Sequence, residues 1–147
     1  MRSKKLILGI AAVIVMICSP LIGAEWSPLP GDLKIDMPGP EVPPKISAYS
    51  GIWQGVATCE AWKQSTNIQV VLERVHLSGA KLIFSWRGSS RDVKDGWQRV
   101  EGNFDGHQIS ANIVPKQRIT LRVSDNGKYL YFTWSKLGCM FMGTLSR

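Results

Sequence analysis

From Ala48 onward the chain alternates apolar and polar positions with a period of two, in short segments rich in β-branched and aromatic residues and separated by turn signals. Eight strands are predicted, over 51–59, 66–77, 80–87, 96–104, 107–114, 117–124, 128–135 and 139–147. The sixth is the clearest, with Ile119, Leu121 and Val123 on one face against Arg118, Thr120 and Arg122 on the other. The seventh sets Leu130, Phe132 and Trp134 on one face. In the second, Ile68, Val70 and Leu72 alternate cleanly, but Val75 and Leu77 continue on the opposite parity, which predicts a bulge near Glu73-Arg74. No amphipathic helix longer than two turns is visible.

Turn chemistry sorts the connections into two groups. After strands two, four and six they are tight: Ser78-Gly79, Asp105-Gly106 and Asp125-Asn126-Gly127, residues that accept the positive φ of hairpins. After strands one, three, five and seven they are mostly longer or polar: Glu60 to Ser65, Gly88 to Asp95, Pro115-Lys116 and Lys136 to Gly138. In an up-and-down meander alternate turns lie at opposite ends, so one end is closed by tight turns and the other carries the variable loops. Pairing the first strand with the last removes both exposed edges. The expected fold is therefore all-β, an eight-stranded antiparallel up-and-down barrel closed by first-last pairing, over residues 48–147.

The N-terminal 24 residues read as a signal peptide. Met1-Arg2-Ser3-Lys4-Lys5 is basic, Leu6 to Cys18 is a nearly unbroken apolar run, and Gly23-Ala24 supplies small residues before Glu25. The run is broken by Ser19-Pro20 and falls short of the about 20 residues that a stable membrane span needs. Cleavage after Ala24 and a periplasmic or secreted location are expected, with a retained anchor as the alternative. Of the 18 Lys and Arg, three lie in this segment, so against 11 Asp and Glu the net charge falls from +7 to +4. No nucleic-acid partner is expected at that charge. Residues 25–47 hold six prolines, at 28, 30, 38, 40, 43 and 44, a composition that excludes a helix or a central strand. The segment reads as a proline-rich extended arm, either a spacer or an arm that docks into a partner's cleft through Trp26, Leu29, Leu33 and Ile35.

Cleavage also removes Cys18 and leaves two cysteines in an oxidising compartment, where a disulfide is the default. Opposed positions of an antiparallel pair have residue numbers with a constant sum. Setting Cys59 opposite Cys139 makes Gly51 oppose Arg147, Trp53 oppose Leu145, Gly55 oppose Gly143 and Ala57 oppose Phe141. A Cys59–Cys139 bond would lock this seam and stabilise by roughly 3–4 kcal/mol.

Gly51-Ile52-Trp53 opening the first strand, with Arg147 ending the last, resembles the signature of calycins, the superfamily of lipocalins and related eight-stranded barrels. The resemblance covers 51–147 and implies a structural role for Gly51, Trp53 and Arg147, the tryptophan closing the barrel base and the basic residue packing over it. A helix after the barrel and the second lipocalin motif are missing. A narrower resemblance links Ser124-Asp125-Asn126-Gly127-Lys128-Tyr129-Leu130-Tyr131-Phe132-Thr133-Trp134-Ser135-Lys136 to small barrels that inhibit C-type lysozyme. It implies an inhibitory role for Lys136; that family's partner serine falls at about Ile119.

Catalytic chemistry finds little support. His76 and His107 have no Cys or His neighbours at metal spacing, no nucleophile elbow occurs, and no glycine loop could cradle phosphate. A non-enzymatic protein is expected, with no metal and no cofactor. The loop-bearing end is richer: Lys63, Arg87, Arg91, Lys94, Lys116, Arg118 and Lys136 stand there against Glu60, Asp92 and Asp95. Trp62, Trp86, Trp97 and Trp134 fall near the same end. A cationic rim over an aromatic mouth suits an anionic or amphipathic small molecule, an acidic glycan, or an envelope or host protein. Alternatively, the tryptophans plug a small filled barrel and the bases are a solvated rim. The candidate ligand-binding set is Trp62, Trp86, Arg87, Arg91, Lys94, Trp97, Lys116, Trp134 and Lys136. A competing function is inhibition of a secreted hydrolase, or an envelope assembly module that uses the arm; a positive rim would repel a basic lysozyme.

Overall fold

A computed structural model describes residues 25–88, 94–114, 116–136 and 138–147. After a single helical turn, α1 (Pro44–Ser47), the chain forms β1 (Gly51–Cys59), β2 (Gln64–His76), β3 (Gly79–Trp86) and β4 (Gly96–Phe104). Next come β5 (Ile109–Asn112), β6 (Arg118–Val123), β7 (Tyr129–Lys136) and β8 (Cys139–Ser146). Each strand pairs antiparallel with its sequence neighbours and β1 pairs with β8, closing an up-and-down barrel. The mouth is the end where β1, β3, β5 and β7 finish; the base is the tight-turn end.

Alternation explains the core. Trp53, Ile68, Val70, Leu82, Phe84, Ile119, Leu121, Phe132 and Leu145 point inward and are fully or almost fully buried. The bulge falls where the parity change places it, with the β2–β3 register shifting between Leu72 and Arg74.

The seam differs from the sequence reading by two residues. Gln54 pairs with Ser146, Ala57 with Gly143 and Thr58 with Met142. Parity alone leaves the two registers equivalent, because a shift of two keeps every side chain on its face. In the observed register the strands approach closely at both glycines, a Cβ on Gly143 meeting the Val56 carbonyl and one on Gly55 the Thr144 carbonyl. Cys59 and Cys139 are joined diagonally across the seam, with Cα atoms 6.2 Å apart. The corrected register brings Arg147 opposite Trp53 instead of Gly51. Its guanidinium stacks 4.4 Å from the indole centroid and donates to the Ala48 and Ser50 carbonyls at 2.6 and 3.1 Å. Trp53 Nε1 donates to the Tyr49 carbonyl at 2.8 Å, and Gly51, at φ 118°, makes the turn into β1 that a side chain would strain.

Strand β5 is half the expected length. The Asp105 carboxylate accepts the backbone N–H groups of His107 and Gln108 at 3.0 Å each, taking these donors out of the ladder before Ile109. At the other end Ile113 N–H turns back to the Gln117 carbonyl, and Lys116 adopts φ 73°. β4 consequently has a β5 partner only from Gly102 to Phe104.

The arm is neither a free spacer nor helix-free. Pro44 opens α1, where its missing N–H costs nothing, and the stretch before it lies along the outer wall of the barrel itself. Gln69 Nε2 donates to the Ser27 carbonyl at 2.7 Å, and Asp36 N–H to the Glu73 carbonyl at 2.7 Å. Val71 and Ile83, on the outward faces of β2 and β3, are fully buried beside these contacts. Arg99 grips Glu73 through two hydrogen bonds and Asp32 through two more, and Arg74 holds Asp36. Arg99→Ala is expected to release residues 25–36, seen as several-fold faster proteolysis of the arm with the barrel still folded; unchanged protection would contradict this.

The same ion pairs give the arm a pH response. The Arg99 guanidinium holds the Asp32 carboxyl below its ordinary 3.8, and Arg74 with Lys34 does so for Asp36. Stabilisation by a depressed carboxylate is complete above the ordinary pKa and is lost as pH falls through the lowered one. Arm protection should therefore persist down to about pH 4 and disappear below it, which limited proteolysis with an acid protease would register.

Candidate functional site

Three of the four mouth tryptophans converge. Trp86 stacks on Phe84 at 5.3 Å and lies 6.0 Å from Trp134, which in turn tilts against Phe141 at 5.2 Å; Trp62 meets Phe141 edge-on at 6.1 Å. The polar edges of Trp86 and Trp134 are satisfied internally, since Trp86 Nε1 donates to the Lys94 carbonyl and Trp134 Nε1 to Gln117 Oε1, each at 3.1 Å. Trp97 does not join them. It lies on the outward phase of β4, with the Arg99 guanidinium 6.0 Å from its ring.

The cations are equally divided. Lys136 caps the cluster, its Nζ 4.9 Å above Trp134. Arg87 is tied back to the start of the arm by an ion pair with Glu25, so an acid that the loop count omitted joins the rim. Lys94 is exposed and contributes its carbonyl to Trp86, whereas Lys116 sits at the tip of the β5–β6 turn. Arg91 lies outside the described residues.

Among the described residues the mouth leaves little free space. The depression bounded by Trp62, Trp86, Trp134 and Phe141 encloses about 20 Å³, room for one water molecule. Beneath it Phe84 and Phe132 stack at 5.6 Å. Concave space lies instead on the outside, around short β5. One cleft of about 360 Å³ is lined by Asn112, Ile113, Val114 and Lys116. A second, of about 220 Å³, is lined by Asn103, Phe104, Asp105, Ser110, Asn112 and Arg118. The two share Asn112. The Ser110 hydroxyl is covered and has no hydrogen-bond partner. Asp105 is held below its ordinary value by the His107 and Gln108 N–H groups, so it is an anion at neutral pH.

Sequence reasoning named Lys116 and Arg118 but missed Asn103, Ser110 and Asn112. The available signal was the turn chemistry of Asp105-Gly106 before β5, whose carboxylate takes the His107 and Gln108 donors and shortens the strand. Ile119, at the position of the inhibitor family's serine, is a fully buried core residue. His76 is exposed beside the Ser78 hydroxyl at 3.1 Å, and His107 is exposed in the base turn. Among the described residues no group of three His, Cys, Asp or Glu is placed to hold a metal, and no helix is long and apolar enough to cross a membrane.

Comparison with family models, with curated proteins and with solved structures finds no match.

Proposed function

We propose that the protein is a non-enzymatic, extracytoplasmic binding module that takes an acidic glycan on the outside of a calycin-like barrel, at the β5–β6 hairpin. The observation that carries this reading is the coincidence of concavity and cation. Among the described residues the interior is filled, while Lys116 and Arg118 line the two outer clefts beside the amides of Asn112 and Asn103, and the Asp105 carboxylate in the second cleft is already engaged by the His107 and Gln108 N–H groups. Amide and hydroxyl groups match sugar hydroxyls, and the two cations match a sugar carboxylate. Arg118 and Lys116 form no ion pair among the described residues, in contrast to Arg74, Arg87 and Arg99. The Cys59–Cys139 bond and the signal-like leader support export; Gly51, Trp53 and Arg147 meeting at the base support the calycin likeness.

Titration with oligogalacturonate, followed by calorimetry, tests the proposal. Saturable binding weakened by salt is expected, and Lys116→Gln and Arg118→Gln should each reduce affinity about five-fold, the scale of one exposed charge contact near 1 kcal/mol. Absence of binding to polyuronates and sulfated glycans alike would sink the proposal.

A further inference from the structure

The outer wall of the barrel is divided in two by the arm. On β2 and β3 the outward apolar residues Val71 and Ile83 lie under residues 25–36. On β7, β8 and β1 nothing comparable covers the wall among the described residues. Tyr129 and Tyr131 stand exposed on β7, Met140 and Met142 are 52 and 53 % exposed on β8, and Val56 is half exposed on β1. None of the outward positions on these three strands is charged, although one residue in five of the chain is. Enrichment in Tyr and Met with Lys, Asp and Glu absent is the composition of a contact surface, not of an ordinary solvated wall.

The β6 border of this face is cationic. Register places Arg122 beside Tyr131 and Arg118 beside Ser135, with the Arg122 guanidinium 5.2 Å from the Tyr131 ring. Lys128 lies in the turn at the base end, and Lys136 at the mouth. Residues 116–147 hold six bases and the single acid Asp125, a net +5, whereas residues 25–115 hold nine bases and ten acids, a net −1. The net positive charge of residues 25–147 is therefore carried by the span from the β5–β6 turn onward, with Arg118 and Arg122 beside this face. Pairing two copies through this face would bring cationic borders together, which disfavours a second copy as occupant.

We propose that the β7–β8–β1 face docks on an anionic lipid surface. Tyrosine and methionine side chains enter the interfacial layer, and Arg122, Lys128 and their neighbours meet headgroup phosphates. The proposal does not rest on the glycan cleft, although Arg118 borders both.

Vesicle co-sedimentation tests it, using vesicles of phosphatidylglycerol and phosphatidylcholine in equal parts against phosphatidylcholine alone. The protein should pellet with the anionic vesicles, stay in solution with the neutral ones, and be released by salt. Arg122→Gln and Lys128→Gln should each lower partitioning about five-fold, since a basic residue near such a surface contributes about 1 kcal/mol. The double substitution Met140→Ser with Met142→Ser should lower it about ten-fold while the urea midpoint stays put, because both side chains are exposed. Failure to pellet with anionic vesicles overturns the proposal, as does pelleting that these substitutions leave unchanged. A concentration-dependent dimer in light scattering that the methionine substitutions abolish assigns the face to a second copy and also overturns it. Glycan binding without vesicle binding overturns this proposal alone and leaves the glycan module standing.

Discussion

Trp53→Ala is expected to reduce the free energy of unfolding by about 3–5 kcal/mol, the range for deleting a fully buried aromatic side chain. The side chain has no solvent exposure and sits where four features meet: the base of the core, the Tyr49 carbonyl, the Arg147 guanidinium and the turn from α1 into β1. Alanine leaves a cavity, removes the donor from the Tyr49 carbonyl and takes the aromatic face from the Arg147 guanidinium. Since a domain of this size has about 5–15 kcal/mol in total, the variant should be marginal at room temperature. Trp53→Phe keeps an aromatic face for Arg147 and fills more of the space, so it should cost less. A guanidinium chloride titration of the three proteins measures both differences. A loss below about 1 kcal/mol for alanine would contradict the packing described.

Cys59→Ser should cost about 4 kcal/mol, because the bond closes a loop of 80 residues and its removal returns that freedom to the unfolded chain. Native packing around the seam changes little on substitution, as Cys59 and Cys139 lie at the mouth ends of β1 and β8 and not at the centre of the core. Wild-type protein treated with a reductant should match Cys59→Ser within error when both are unfolded by urea. If reduction leaves the midpoint unmoved, the bond contributes nothing and the seam is held by the β1–β8 ladder alone.

Period-two alternation made the strands legible because every strand has one dry face; β1 and β4 agree with the sequence reading at both ends, and the Glu73 bulge follows from a parity change. The same periodicity hid the seam register, since parity fixes a face and not a partner, and two cysteines joined diagonally imitate an opposed pair. Trp97 was misplaced by attending to its end of the barrel and not to its phase, although Val100, Gly102 and Phe104 already put odd positions of β4 outside. The docked arm left a trace in Val71 and Ile83, apolar residues on the outward phase, whose meaning depends on knowing what covers them. The clefts arise from a strand that stops early, and strand length is set by N–H groups donating to the Asp105 carboxylate and the Gln117 carbonyl, which Asp105-Gly106 marks as a turn without giving the strand's length.

The seam also governs how fast the molecule is made. Neighbouring strands in the meander find each other across a few residues, but Gln54 and Ser146 are 92 positions apart in the chain. Loop-closure entropy delays such a contact until the intervening strands have assembled, which puts closure among the last events in folding and the barrel among slow folders, on a timescale of about milliseconds to seconds. Until then β1 and β8 are open edges able to pair with another chain. Pairing of β1 with β8 ends that exposure, and the Cys59–Cys139 bond then keeps the two edges from reopening.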